Sequence, residues 1–524
     1  MSFGIMTPLR RAFDVAEIAL GRVFPPAWNP LANLGALGFF FYWVITVSGI
    51  YVYIFFDTGV TNAYASVEYI TNDQWYAAGV MRSLHRYASD ALIVVMLAHM
   101  LREFAMGRYR GVRWFSWVTG VPVLVLVYIA GISGYWLVWD RLAQFVAIVT
   151  TEWLDALAIF AEPIARNFLS PELLESRFFT LMIFMHIAVP LIALGVLWLH
   201  LARVTRPNIN PPRGLALGAF GSMLVLSLVW PAVSQGPADL ARVPGAVGLD
   251  WFYLPLYPLI ATWPGKVTWG AGFALLAIMV AVPWLPPLRK PRPAVIDLDN
   301  CNGCGRCLAD CPYDAISMVV RSDGKPFERQ AVVDASYCVS CGICAGACPT
   351  SMPFRRLSDL SPGIDVPDLS MAAIRTDVER VGAELAGPAR IMVFGCGEGV
   401  DLGPVKSDSV GIVRLNCIAQ LPPAFIDYVL SRKLAEGVVL TGCTDVTCYH
   451  RYGVKWTKER LAGERDPYLR ARVPRQRLRT LWAGPLGGGE LARLVEDFSG
   501  ELAALAEQPA PPPRSQRRTE AADA

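Results

Sequence analysis

Before residue 289 the chain carries six apolar segments, Leu34–Phe56, Ala78–Phe104, Trp114–Trp139, Phe178–Ala202, Leu215–Val233 and Val267–Leu285. Each is near the ~20 residues that a helix needs to cross a bilayer. The remainder reads as ordinary soluble sequence. A chain so divided cannot fold as one soluble globule. Over its 524 residues, 54% are apolar and 17% charged, a balance that suits a protein solvated in part by lipid. The length is enough for about three domains. A formal net charge of +3, with no basic stripe carrying interleaved aromatics, gives no sign of a nucleic-acid partner.

Loop charges orient the helices. Arg10, Arg11 and Arg22 precede the first helix, and Arg108, Arg110 and Arg113 lie between the second and third. Arg203, Arg206 and Arg213 lie between the fourth and fifth, and Arg289, Lys290 and Arg292 follow the sixth. The opposite loops carry Asp57, Glu68 and Asp73, then Asp140, Glu152, Asp155, Glu162, Glu172 and Glu175. All twelve cysteines lie after residue 300, in short-spaced sets typical of metal ligation. Thiolates kept for metal need a reducing compartment. Both arguments put the two termini and the cysteine-bearing half in the cytoplasm, and the membrane is expected to be the bacterial inner membrane. No short apolar core with a cleavage site follows the first arginines, so no cleavable signal peptide is expected.

The domain reading follows. Residues 1–33 form an N-terminal segment whose stretch Leu9–Val23 reads as an interfacial amphipathic helix, or else as a disordered lead-in. Residues 34–288 form the membrane domain, and a Pro/Arg linker, Pro286–Pro293, leaves it. Residues 297–352 hold the first eight cysteines, and 353–386 read as a connector. Residues 387–505 alternate strand-like and helix-like runs: Arg390–Phe394, Val410–Leu415 and Gly437–Leu440 as strands, Pro422–Ala435 as a helix. That is an α/β pattern. Residues 506–524 are rich in Pro, Ala and charge and read as a disordered tail.

His85 and His99 are fourteen residues apart on the second apolar helix, and His186 and His200 fourteen apart on the fourth; they are four of only five histidines. Fourteen residues is close to four helical turns and a rise of ~21 Å, so both histidines of a pair share a face and stand at opposite depths. Two such helices can sandwich two stacked haems, each gripped by one imidazole from each helix. Nitrogen ligands on both faces make an electron-transfer haem rather than an oxygen-binding one. The alternative is four unrelated buried histidines.

Residues ~10–288 resemble the cytochrome b of cytochrome bc complexes. Arg82, three before His85, and Arg102, three after His99, stand where that family places haem-propionate partners. Gly35 and Gly49, and Gly120 and Gly134, repeat the fourteen-residue spacing, and glycine lets a flat macrocycle approach the backbone. Ser176-Arg177-Phe178-Phe179-Thr180, followed by His186 and Pro190, looks like the family's fourth helix. The resemblance implies two haem b groups, with His85 paired to His186 on the periplasmic side and His99 to His200 on the cytoplasmic side. It also implies a quinone ligand and a homodimer. Gly134 to Asp140 resembles the segment flanking the family's outer quinone pocket, and Leu249-Asp250-Trp251-Phe252-Tyr253-Leu254-Pro255 resembles its Pro-Glu-Trp-Tyr loop. Leu249 replaces the Pro and Asp250 the Glu. Asp250 and Tyr135 are therefore the candidate quinone-site groups; the alternative is a loop that merely packs under the haem. Thr205 stands where the family's inner-quinone histidine would be, so an inner site rests on position alone.

Cys301, Cys304, Cys307 and Cys311-Pro312, then Cys338, Cys341, Cys344 and Cys348-Pro349, form a duplicated run. It is the bacterial two-cluster ferredoxin pattern, in which the fourth cysteine of each run ligates the other cluster. Cys301, Cys304, Cys307 and Cys348 are thus assigned to one [4Fe–4S] cluster, and Cys338, Cys341, Cys344 and Cys311 to the other. A zinc reading would need separated knuckles and leaves the prolines unexplained. Cys396, Cys417, Cys443 and Cys448 remain, each at a turn after a strand-like run, and four thiolates suffice for a [2Fe–2S] centre. Gly442-Cys443, Cys448-Tyr449-His450 and Gly453 make this stretch resemble the iron–sulfur delta subunit of methyl-viologen-reducing hydrogenases. It departs in having only Cys396 in the opening motif and Cys-Tyr-His in place of Cys-His-Tyr. The alternative is a zinc-bound or free-thiol domain.

The expected fold is therefore multidomain: a six-helix transmembrane cytochrome b bundle, an α+β ferredoxin-like domain and an α/β iron–sulfur domain. The expected function is a membrane electron-transfer subunit of a quinone oxidoreductase. It would pass electrons from a soluble flavoprotein or dehydrogenase through the clusters and b haems to quinone. Gly487-Gly488-Gly489 lacks a strand-to-helix context, so no nucleotide site is read and a separate catalytic subunit is expected. The alternatives are a quinol-oxidising enzyme that uses Asp250 and a non-catalytic relay or anchor subunit.

Overall fold

The computed structural model describes residues 6–168, 176–242, 246–285, 291–356 and 360–507. Glu172, Glu175, Arg289, Lys290 and the tail from Gln508 lie outside the described residues. The chain divides into two compact units, Met1–Leu288 and Arg289–Ala524.

The first unit is helical: α1 (Met6–Gly21), α2 (Leu34–Phe55), α3 (Ala63–Glu68), α4 (Val80–Ala105), α5 (Trp114–Val138), α6 (Arg141–Asp155), α7 (Ser176–Leu201), α8 (Arg213–Val229), α9 (Tyr257–Thr262) and α10 (Gly265–Ala281). Helices stand at all six apolar segments. Among the described residues, four are long and apolar enough to cross a membrane: Leu34–Phe55, Gly111–Val138, Phe179–Leu201 and Gly265–Trp284. α8 is apolar but only 17 residues long. α4 has 26 residues, but Arg82, Arg86, Asp90, Arg102 and Glu103 interrupt its apolar face. The heaviest packing joins α2 to α4 and α5 to α7. Tyr42 of α2 also donates to the Pro190 carbonyl of α7 at 3.0 Å.

Two elements differ from the sequence reading. Residues 141–155, read as loop, form α6, whose Leu142, Val146 and Val149 are buried at helical spacing. Asp140 caps it, one carboxylate oxygen accepting from Ala143 N and the other from Gln235 N, both at 2.8 Å. In α1 the docked face is acidic. Asp14 and Glu17 are buried, Glu17 meeting Arg102 of α4 at 2.6 Å, while Val15 and Ile18 stay over half exposed. An outward apolar stripe is what an interfacial helix presents to lipid.

In the second unit, β1 (Val295–Ile296) pairs antiparallel with β4 (Ile364–Asp365), and β2 (Ile316–Val320) with β3 (Arg329–Val333). The short helices α11 (Arg306–Ala309) and α12 (Ile343–Ala347) each follow the opening cysteines of a run. The remainder is a parallel sheet in the order β6-β5-β7-β8: β5 (Ile391–Cys396), β6 (Val410–Leu415), β7 (Gly437–Gly442) and β8 (Leu478–Trp482). β5 and β7 are buried at every position, as strands covered on both faces must be. Alternate residues point to opposite faces. Met392, Phe394, Val438 and Leu440 pack with α13 (Met371–Glu384) and α14 (Ala424–Ser431). Ile391, Val393 and Val439 pack with Leu491, Phe498 and Leu502 of α16 (Gly488–Glu507). α15 (Gly453–Ala462) follows the last cysteine. Residues 353–386 include α13, whose Met371, Ile374 and Val378 are fully buried in the sheet's core.

Candidate redox centres

Three of the four membrane histidines, His85, His186 and His200, have Nδ1 beside a side-chain hydroxyl. His85 and His186 face each other with ring centroids 6.1 Å apart. Two metal–imidazole bonds of about 2 Å plus the half-widths of two rings come to roughly this separation, so one iron fits between them. His85 Nδ1 lies 2.9 Å from the Ile45 carbonyl, and His186 Nδ1 3.0 Å from the Ala130 carbonyl. A carbonyl only accepts, so each Nδ1 carries its proton and each Nε2 keeps a lone pair for a metal. Ser48 and Ser133 lie at 3.3 and 3.1 Å from the same two nitrogens. Thr119 does the same for His200 at 3.2 Å.

All four glycines lie against these rings. An added Cβ would stand 2.9 Å from the His85 ring at Gly49, 2.9 Å from His186 at Gly134, 3.3 Å from His200 at Gly120 and 3.6 Å from His99 at Gly35. Helices α2 and α5 thus offer bare backbone where α4 and α7 present imidazole, a cradle that fits a macrocycle. The arginines near the pairs have protein partners as well. Arg82 donates to Thr71 and, at 3.0 Å, to Ser234, and Arg102 holds Glu17.

The loop before α9 brings Asp250 to Tyr135 and Arg86. Tyr135 donates its hydroxyl to Asp250, Arg86 Nη2 lies 2.8 Å from the same carboxylate, and Phe252 N donates to it at 2.7 Å. Arg86 also pairs with Asp90 one turn away, and its guanidinium lies 5.0 Å from the Tyr135 ring centroid. Two buried carboxylates therefore share one half-buried guanidinium. Tyr253 completes the group, its hydroxyl 2.9 Å from Ser89 Oγ and 3.0 Å from the Ser89 carbonyl. Gly131 makes room for it, since a Cβ there would lie 2.2 Å from the Tyr253 ring. Sequence reasoning singled out Asp250 and Tyr135 but missed Ser89 and Gly131, whose only signal is a small residue opposite an aromatic far along the chain.

In the second unit, Cys301, Cys304, Cys307 and Cys348 line one open recess, together with Gly303, Met318, Ala331 and Ile364. Burial, then the neighbouring Cys348, Cys304 and Cys301, push the Cys307 thiol up to about 12. The second set is deeper. Burial pushes Cys341 up to about 12, with Cys311 and Cys338 adding to it, and raises Cys344 well above the usual thiol range. Cys311 is also raised by burial. Thiols so placed ionise readily only around a cationic core. Cys348 lies beside the first run and Cys311 beside the second.

The last four cysteines meet at the C-terminal ends of adjacent parallel strands, where α/β sheets build their sites. Cys396 ends β5, Cys417 follows β6, and Cys443 and Cys448 follow β7; all four are buried. Cys396 Sγ and Cys443 Sγ are 3.7 Å apart. Hydrogen bonding with the Cys443 thiol lowers Cys396 and Cys448 against the upward push of burial. Backbone N–H groups of Gly453 and Val454, at the start of α15, help to lower Cys448. Burial and the thiols of Cys448 and Cys396 push Cys417 well up. Among the described residues no three His, Cys, Asp or Glu side chains close around a point tightly enough for a single metal ion.

Three families match. Residues 20–207 match cytochrome b/b6/petB, residues 300–352 the 4Fe-4S dicluster domain, and residues 405–506 the delta subunit of methyl-viologen-reducing hydrogenase. A solved structure described as hyperthermophilic respiratory Complex III is 19% identical, covering 51% of this chain and 77% of that one with a TM-score of 0.40. The chain therefore joins a cytochrome b/b6 domain, a 4Fe-4S dicluster domain and a hydrogenase-delta-like domain. The first implies haem b and the second iron–sulfur clusters, in a multi-pass membrane protein of electron transport.

Proposed function

We propose that this chain is the membrane subunit of a quinone oxidoreductase. It accepts electrons from a soluble flavoprotein or dehydrogenase through its cysteine-bearing half and delivers them to a membrane quinone. The observation that carries the reading is the presence, in one chain, of the facing His85–His186 pair and of gathered cysteine sets. When bound, the haems and clusters supply one-electron chemistry in which no bond forms or breaks.

The residues do the holding. His85 with His186, and His99 with His200, would hold two b haems, with Gly49, Gly134, Gly35 and Gly120 behind them and Arg82 and Arg102 as propionate partners. Cys301, Cys304, Cys307 and Cys348 would hold one [4Fe–4S] cluster, Cys338, Cys341, Cys344 and Cys311 the other. Cys396, Cys417, Cys443 and Cys448 would hold a [2Fe–2S] centre. We read α2, α4, α5, α7, α8 and α10 as six spans in the bacterial inner membrane, with both termini cytoplasmic. α4 can cross because its ionic groups have partners, as membrane depth demands: Arg86 with Asp90 and Asp250, Arg102 with Glu17. A homodimer fits the cytochrome b likeness.

The Asp250–Arg86–Tyr135 group favours a second reading of direction. A buried carboxylate hydrogen-bonded to a tyrosine can take a proton from a quinol hydroxyl, and the enzyme would then oxidise quinol outwards from the membrane. Anaerobic isolation in mild detergent, with mass spectrometry of what co-purifies, tests the choice. A flavin-containing dehydrogenase or electron-transfer flavoprotein supports the first reading. A Rieske protein with a c-type cytochrome contradicts it.

A further inference from the structure

The spacing of the two cysteine runs treats their clusters alike, and nothing in it says which one neighbours the four thiols on the sheet. The packing distinguishes them. The second run lies directly on the Cys417–Gln420 turn. Gly342, at φ +76°, has no room for a Cβ, which would stand 2.5 Å from the Gln420 side chain, and a Cβ on Gly346 would stand 2.1 Å from the Ala419 carbonyl oxygen. Gln420 is fully buried, its amide donating to the Leu369 carbonyl at 2.9 Å, and Asn416 donates to the Ser340 carbonyl at 3.2 Å. The Cys341 thiol is among the groups that raise Cys417.

The other ligand of that set, Cys311, is tied to the sheet part through its neighbours in the chain. Two residues after Cys311, the Tyr313 hydroxyl lies 2.8 Å from His450 Nδ1, both side chains buried, and His450 stands two residues after Cys448. One residue before Cys311, Asp310 binds Arg460 at 2.6 Å and Arg465 at 2.7 Å, and Arg460 donates to the Ala419 carbonyl at 2.8 Å. The first set borders this junction through Cys307, a neighbour of Cys344, and its own tie to the α/β part is the half-exposed pair Arg306–Asp466. Cys304 is exposed.

We propose that the cluster of Cys338, Cys341, Cys344 and Cys311 is the electronic neighbour of the sheet centre, that the cluster of Cys301, Cys304, Cys307 and Cys348 stands one step beyond it, and that Tyr313 and His450 are positioning residues at the junction. This rests on the three-centre reading above. What crosses the junction is a single electron; one side is oxidised, the other reduced, and no proton or bond is exchanged.

The test uses the full-length protein in detergent, reduced with dithionite and examined by low-temperature EPR alongside iron and acid-labile sulfide analysis. In Cys304→Ala the sheet centre's signal should keep the broadening caused by a nearby reduced cluster. In Cys338→Ala it should narrow. Tyr313→Phe and His450→Leu should weaken the broadening at unchanged iron content, and His450→Gln, which can still meet the tyrosine hydroxyl, should restore it. These last variants keep all twelve cysteines, so they decide the matter if an alanine variant fails to assemble; unchanged broadening in both would overturn the proposal. Broadening that is lost in Cys304→Ala but survives Cys338→Ala would overturn the order and leave three centres standing. Iron for two [4Fe–4S] clusters alone in the parent protein would overturn both.

Discussion

His85 and His186, on different helices and 101 positions apart in the chain, face each other with ring centroids 6.1 Å apart, each with its Nδ1 proton given to a backbone carbonyl. Both unprotonated nitrogens are thus available for one iron. His186→Leu removes one of the two axial nitrogens and should cost the chain about half its haem, leaving the His99/His200 site filled. Haem per chain from the pyridine haemochrome spectrum checks this. Unchanged haem content would mean that the ring does not ligate.

The glycines should rank by closeness. Alanine at Gly49 or Gly134 puts a Cβ 2.9 Å from an imidazole and should displace it, costing the outer haem, whereas Gly35→Ala, at 3.6 Å, is ordinary contact and should be tolerated. Low-temperature absorbance spectra, which separate the two haem bands, read out the ranking.

Arg86 neutralises two carboxylates at once. Arg86→Gln leaves Asp90 and Asp250 buried without their cation and should destabilise the fold by about 3–5 kcal/mol. Adding Asp250→Asn should recover part of that loss, because one negative charge is then gone. Asp250→Asn alone should slow haem reduction by quinol while leaving reduction from the cluster side largely intact. Thermal unfolding followed by circular dichroism, and haem reduction by a quinol analogue, measure the two effects.

Asp310 holds the buried guanidinium of Arg460, whose side chain is 1% exposed. Asp310→Ala strands that charge and should cost the second unit about 3–5 kcal/mol. The temperature at which cluster absorbance bleaches in the intact protein should fall, with the haem spectrum of the first unit unaffected.

The sequence was most legible where the determinant is a short motif or a strong local period. The fourteen-residue histidine spacing and the two cysteine runs can be read directly, because the helical repeat and the ferredoxin loop are local geometry. β5, β6 and β7 fall within two residues of their expected bounds because buried parallel strands read as continuous apolar runs. α6 was missed because its apolar residues are spaced along a stretch with acidic residues at its end, which by charge alone reads as a loop. α1 was recognised, but its docked face was not, since the partner of Glu17 is 85 residues away. Asp310–Arg460 and Tyr313–His450 join residues 150 and 137 positions apart, and no local pattern announces such pairs.

The central claim is that the thiols on the sheet feed the haems. It is tested most directly by mixing the anaerobic protein with a reduced soluble donor and following haem absorbance, in the parent chain and in Cys443→Ser. The account predicts that the substitution abolishes haem reduction by the donor while quinol still reduces the haems at the parent rate. Donor-driven haem reduction that persists in Cys443→Ser, with the sheet centre's iron demonstrably gone, would contradict it.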